Sequence, residues 1–256
     1  MVTCYDYSFA CLIAKTDIDM VLVGDSASMV MHGFPNTTHA TLEMMCLHTA
    51  AVSRGLKQQF LVADMPFMSY RQDHKTTMLA VQQLVQAGAH AIKLEGVSGN
   101  TGIIQDIVES GIPVMGHIGL TPQMVHQLGG FKVQGREATA QQRLLDEAKS
   151  LQACGCFAIV LECIPTDLAQ TITQTLEIPT IGIGAGQYTD GQVLVLQDLL
   201  GLQNEFTPKF VKHYSQGAHW TVNAINQFIA EVRQQQFPLQ QHSYHFNQKE
   251  PNHASH

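Results

Sequence analysis

Charge is scarce in this chain. Asp, Glu, Lys and Arg make up 14% of its 256 residues, against 45% hydrophobic residues. Much of its surface must therefore be apolar, and an assembly of several copies is expected to cover part of it. Basic side chains are scarcer still: 14 Lys and Arg against 21 Asp and Glu leave a net charge of −7. With no basic run and no basic–aromatic stretch, nucleic acid is excluded as a partner. No apolar run reaches the length of a membrane span, and the first residues lack the basic region of a signal peptide. A cytoplasmic protein without a membrane anchor is the expectation. The six cysteines, at positions 4, 11, 46, 154, 156 and 163, show no paired zinc spacing. They read as reduced thiols packed as small hydrophobes.

What the chain does have is a recurring short apolar run that ends on a polar side chain. Met20 to Val23 leads into Gly24-Asp25-Ser26, and Phe60 to Ala63 leads into Asp64. Ala91 to Gly96 carries Lys93 and Glu95, Ile112 to His117 ends on its histidine, and Phe157 to Cys163 carries Glu162. With Val2 to Cys4, Ile178 to Gly184 and Gln192 to Leu196, these make about eight strands. Helical patterns separate most of them: Phe9–Lys15, Thr41–Gly55, His74–Ala89, Thr101–Ser110, Ala138–Ala153 and Thr166–Glu177. Strand and helix in alternation predict a parallel sheet in an α/β fold. Eight units in about 200 residues favour a closed (β/α)8 TIM barrel over an open doubly wound sheet. Residues 1–236 are expected to form this single barrel domain, closed by a helix from about 218 to 235. Residues 237–256, polar and rich in His and Gln (His242, His245, His253 and His256 among them), are expected to be a tail. The segment 117–136 is too long for an idle connection and reads as a functional loop.

Strand ends of one barrel face share one mouth. Asp25, Asp64, Lys93, Glu95, His117 and Glu162 are then neighbours in space. Lys93 and Glu95 lie two apart on one strand and face the same way. Burying that many charges demands compensation, from opposite charges or from a metal ion. Asp25, Asp64 and Glu95 offer only oxygen donors, which suit Mg²⁺. Lys93 either meets a substrate carboxylate or pairs with Glu95 or Asp64. Glu162 stands across the pocket as a base, and His117 is either a structural histidine or a supporting proton carrier. The glycines of 181–186 follow the seventh strand, where they serve either a phosphate site or close packing at the mouth.

These stretches together resemble the ketopantoate hydroxymethyltransferase family over nearly the whole chain. The matching segments are TCYDYSFA (3–10), VLVGDS (21–26), HTAAVSRG (48–55), VADMPFMSY (62–70), GHIGLTPQ (116–123), GGFKVQGR (129–136), VLECIP (160–165), IPTIGIGAG (178–186), TDGQVLV (189–195) and PKF (208–210). The resemblance implies a Mg²⁺-containing (β/α)8 barrel of the phosphoenolpyruvate/pyruvate superfamily, assembled as a homo-decamer. It further implies transfer of a one-carbon unit from 5,10-methylenetetrahydrofolate to 3-methyl-2-oxobutanoate through an enolate that the ion stabilises, the first step of pantothenate synthesis. By position, Asp25, Asp64 and Glu95 match the metal site. Asp25, Ser26, Asp64 and Lys93 match the keto-acid site, and Glu162 the catalytic base. Two departures stand out: family members usually carry a helical segment before the first strand, and they usually read Leu-Gly where this chain has Ala27-Ser28. A serine there is expected to strain the backbone if the position needs a positive φ.

Overall fold

A computed structural model describes residues 1–203 and 207–244. Eight parallel strands run in sequence order around one sheet: β1 (Val2–Thr3), β2 (Met20–Val23), β3 (Phe60–Asp64), β4 (Ala91–Glu95), β5 (Val114–Gly119), β6 (Ala158–Glu162), β7 (Thr180–Ile183) and β8 (Gly191–Gln192). The order never reverses, so there is no switch point of an open doubly wound sheet. A parallel bridge between Val2 and Leu194 joins the last turn of the sheet to the first, with Thr3 N–H donating to the Leu194 carbonyl at 3.1 Å. The sheet closes on itself as a (β/α)8 barrel. The eighth strand is shorter and earlier than the expected 192–196, because the chain turns into a helix at Leu196 once Leu196 N–H is taken by Thr3 Oγ1.

The helices are α1 (Tyr7–Ile13), α2 (Ala27–Val30), α3 (Leu42–Gly55), α4 (His74–Gln86), α5 (Thr101–Glu109), α6 (Val125–Leu128), α7 (Ala138–Ala153), α8 (Thr166–Thr175), α9 (Leu196–Leu200) and α10 (Gly217–Arg233). Side-chain caps fix the starts of α1, α3 and α4: Asp6 accepts from Phe9 N–H, Thr41 from Met44 N–H and Asp73 from Thr76 N–H. The expected loop 117–136 holds a 3-10 turn at Pro122–Met124 and α6. Of the tail over 237–256, residues from His245 on, with His253 and His256, lie outside the described residues.

Strand alternation divides the apolar residues into two cores. Val21, Val23, Leu61, Ala63, Ile92, Leu94, Ile118, Ile159 and Leu161 point outward and pack against the helices. Leu22, Val62, Ala91, Met115, Ala158, Val160, Ile181 and Val193 point inward and fill the lower barrel. Continuing the inward rows upward brings Asp64, Lys93, Glu95, His117 and Glu162 to the C-terminal mouth. The same period of two that seals the floor with hydrocarbon thus lines the mouth with charge.

Gly119 ends β5 at φ +98, and a Cβ there would collide with the Glu162 carbonyl and Ile164. Gly119→Ala is expected to lower unfolding stability by roughly 1–3 kcal/mol, read from urea denaturation; an unchanged midpoint would contradict this packing.

Candidate active site

Register makes the first ion pairs. Asp64 on β3 is the lateral partner of Lys93 on β4, and Glu95 on β4 that of His117 on β5. Lys93 Nζ lies 2.9 Å from Asp64 Oδ1. The His117 ring spans two acids, with Nδ1 3.4 Å from Glu95 Oε1 and Nε2 3.2 Å from Glu162 Oε2. Asp25, one residue beyond the strand-ending glycine, donates its backbone N–H to Asp64 Oδ2 at 3.0 Å. Ser26 shares a 2.8 Å hydrogen bond with Tyr5 Oη. All of Asp25, Ser26, Asp64, Lys93, Glu95, His117 and Glu162 line one cavity of about 170 Å³ at the barrel mouth. Every residue singled out from the sequence for this site is brought there.

Gln123 was not singled out, although it closes the GHIGLTPQ stretch. It is buried at the 3-10 turn, and its side-chain amide donates to Asp25 Oδ2 at 2.8 Å and to the Met65 carbonyl at 3.0 Å. Its backbone N–H donates to Glu95 Oε2 at 3.0 Å, and its side-chain oxygen accepts from Tyr70 Oη at 2.7 Å. One residue of the mouth loop therefore orients two of the acids. A glutamine in a loop carries no sequence signal of that task, since its partners lie at the end of β4 and in the segments that follow β2 and β3.

The electrostatics follow from burial. Loss of water, with the Asp64 and Glu95 charges, holds the Asp25 carboxyl well above the usual carboxylate range. Burial also raises Asp64, against the opposing pull of Lys93. Burial works against the Lys93 charge, yet the three acids around it raise its pKa above the ordinary value. For His117, burial and Lys93 pull down, but contacts with Glu162 and Glu95 prevail and lift it to about 9. An imidazolium at neutral pH is the outcome. Among the described residues lining this cavity, the four carboxyl groups of Asp25, Asp64, Glu95 and Glu162 face two basic side chains, Lys93 and His117.

Two buried polar atoms of this cluster, Asp64 Oδ1 and His117 Nε2, lack an aligned hydrogen-bond partner. Their close contacts with Lys93 and Glu162 are charge contacts rather than directed bonds. Among the described residues no three His, Cys, Asp or Glu side chains form a complete metal cage. A hard divalent ion does not need one, since it keeps water and takes ligand oxygens beside one or two carboxylates. Four carboxyl groups against two basic side chains, and an all-oxygen donor set in Asp25, Asp64 and Glu95, fit Mg²⁺.

The serine that replaces the family's usual glycine is not strained. Ser28 lies inside α2, away from the positive-φ region, and is buried. Its Oγ lies 2.9 Å from the Asp25 carbonyl and 3.1 Å from that of Asn36, donating its one proton between them. The expected backbone penalty is absent because the position is helical. The glycines of the 181–186 stretch answer to packing: the Phe210 ring sits over Gly184, where a Cβ would come within 2.9 Å of it.

Eight parallel strands closed into a barrel, with a carboxylate–lysine–histidine cluster at their C-terminal mouth, define the class: a (β/α)8 barrel. Solved structures of similar fold include phosphoenolpyruvate phosphomutase from Streptomyces platensis subsp. rosaceus, at TM-score 0.60 and 12% identity over 91% of this chain and 82% of that one. Others are 2,3-dimethylmalate lyase, a PEP mutase/isocitrate lyase superfamily member (TM-score 0.58, 14% identity, 91% and 92%), and phosphonopyruvate hydrolase in complex with oxalate and Mg²⁺ (0.59, 13%, 94% and 87%). Residues 1–240 match the ketopantoate hydroxymethyltransferase family, and the chain belongs to that family. It is 58% identical over 246 residues to the 3-methyl-2-oxobutanoate hydroxymethyltransferase of Francisella tularensis subsp. tularensis, covering 96% of this chain and 93% of that protein. The Legionella pneumophila enzyme of the same name is 54% identical over 245 residues, covering 95% and 94%. The chain is thus a hydroxymethyl-transferring enzyme.

Ser28→Gly is expected to lower unfolding stability by about 1–2 kcal/mol, through the lost buried hydrogen bond and the flexibility added to a helix. Urea denaturation checks this; equal or greater stability of the glycine variant would refute the role given to Ser28.

Proposed function

We propose that this site transfers a hydroxymethyl group from 5,10-methylenetetrahydrofolate to 3-methyl-2-oxobutanoate, giving ketopantoate as the first step of pantothenate synthesis. The observation that carries the reading is the single cavity in which Asp25, Asp64, Lys93 and Glu95 face Glu162. The presence of oxalate and Mg²⁺ in phosphonopyruvate hydrolase, which shares this fold, supports that ion and a small carboxylate ligand here. Asp25 and Asp64 would hold Mg²⁺, with Glu95 behind them. When bound, the ion supplies Lewis-acid polarisation of the keto acid's oxygens.

The chain's own groups do the rest. Lys93 brings positive charge for the substrate carboxylate, and Ser26 offers a hydroxyl beside it. Val160, Ile183 and Val193 form an apolar wall that takes the branched hydrocarbon end and keeps water away from it. Glu162 accepts the C3 proton, and His117 at 3.2 Å steadies the Glu162 carboxylate in position. Water adds to the methylene carbon of the folate iminium, and cleavage of its carbon–nitrogen bond releases tetrahydrofolate and leaves formaldehyde beside the keto acid. The enolate carbon adds to the formaldehyde carbon, and the alkoxide so formed takes up the proton that Glu162 accepted, giving the hydroxymethyl product.

We extend the proposal to the assembly: a cytoplasmic homo-oligomer, a decamer by family resemblance. Among the described residues no helix is long and apolar enough to cross a membrane. Yet α10 exposes Trp220, Val222, Ile225, Phe228 and Val232, more apolar surface on one helix than water favours. The paired substitution Ile225→Glu with Phe228→Glu is expected to lower the particle mass in light scattering; unchanged mass would exclude α10 from subunit contacts.

The reaction is tested by exchange. Mg²⁺-loaded protein is expected to wash deuterium into C3 of 3-methyl-2-oxobutanoate without folate, followed by NMR. Glu162→Gln should abolish the exchange, and His117→Asn should retain it at a reduced rate. No exchange from folded, metal-loaded protein would defeat the reading, and exchange retained in Glu162→Gln would remove Glu162 as the base.

A further inference from the structure

The 170 Å³ cavity suits a small keto acid but not the much larger folate. The donor's methylene carbon must reach the substrate carbon beside Glu162, so the folate has to enter where Glu162 is exposed. A larger cavity of about 650 Å³ carries Arg71 and Arg143, but it lies beyond Gln123. Gln123 lines that cavity with its amide hydrogen-bonded to Asp25 and Met65, and Glu162 does not line it.

The rim of the Glu162 cavity differs. Phe131, Phe210 and Asp198 all line it, from three segments far apart in the chain. Phe131 is 56% exposed and Phe210 38%, so two aromatic faces stand open at the mouth. Both are presented from anchored backbone. Gln134 N–H is bound to the Cys163 carbonyl at 2.9 Å, Phe210 rests on Gly184, and Tyr214 N–H is bound to the Leu199 carbonyl at 2.8 Å, beside Asp198. Asp198 makes no ion pair among the described residues, and the reaction proposed above does not use it. Lys132 follows Phe131 in the chain and Lys209 precedes Phe210, and both lysines are exposed.

A reduced pterin has the complementary chemistry. It offers a flat π face, an edge with adjacent N–H and NH₂ donors that a carboxylate accepts as a fork, and a tail ending in glutamate carboxylates. We infer that this rim is the folate subsite: the pterin stacks against Phe131 and Phe210, Asp198 accepts from its amide–guanidine edge, and Lys132 and Lys209 meet the glutamate tail. This rests on the folate reading above.

The test separates the two. Initial rates on the Mg²⁺-loaded enzyme give KM for 5,10-methylenetetrahydrofolate and for 3-methyl-2-oxobutanoate independently. Asp198→Asn is expected to raise the folate KM roughly tenfold, as loss of one charge-assisted hydrogen bond implies. Phe131→Ala should raise it several-fold and Phe131→Tyr restore it. Lys132→Ala with Lys209→Ala should weaken the triglutamate form more than the monoglutamate, and the paired arginine variants should recover it. The keto-acid KM should stay within about twofold throughout. A folate KM unchanged in Asp198→Asn and Phe131→Ala would overturn the assignment, as would a rise seen only in Arg71→Ala or Arg143→Ala. Wild-type protein that exchanges the C3 proton but makes no product with folate would instead overturn the donor itself.

Discussion

The structure depends on one electrostatic constraint: four carboxyl groups, a lysine and a histidine share a mouth from which most water has been removed. Charges in such a place are costly unless each meets an opposite or a directed dipole. Here the strand register makes the first pairings, Asp64 with Lys93 and Glu95 with His117. The mouth loop makes the next, through Gln123 to Asp25 and Glu95. What remains is an excess of acidic over basic groups, which is what a divalent cation would balance.

The barrel suits this task because its two cores are built by one rule. Alternation sends one set of apolar side chains out to the helices and the other in to the floor, so a rigid hydrocarbon plug lies directly under the charged layer. That plug keeps the local dielectric low, which strengthens every interaction between the acids, Lys93 and His117. It also explains why Lys93 and His117 both hold their protons more tightly than free side chains do, against the opposing effect of burial.

Legibility from the sequence followed locality. The apolar strand runs, their polar ends and the long helices could be placed within a few residues, since propensity and periodicity are properties of neighbouring residues. Asp25, Asp64, Lys93, Glu95, His117 and Glu162 were recognisable because a charge at the end of a buried run is conspicuous in one dimension. Gln123, Phe131, Phe210 and Asp198 were not, because an ordinary loop glutamine, phenylalanine or helix aspartate acquires meaning only from what lies across the mouth. For Ser28 the outcome turned on a backbone angle that the sequence did not show, and the short helix α2 places it in an unstrained one.

By itself, then, the chain's linear pattern determined the alternation of strand and helix, the polar set at the strand ends and the family, because each is encoded within short windows of residues. Closure of the barrel through Val2 and Leu194, the pairing of individual charges, the bracing by Gln123 and the aromatic rim were decided only in three dimensions. The physical reason is that hydrogen bonds and charge contacts act over a few ångströms in space, while the residues that make them are separated by tens of positions along the chain.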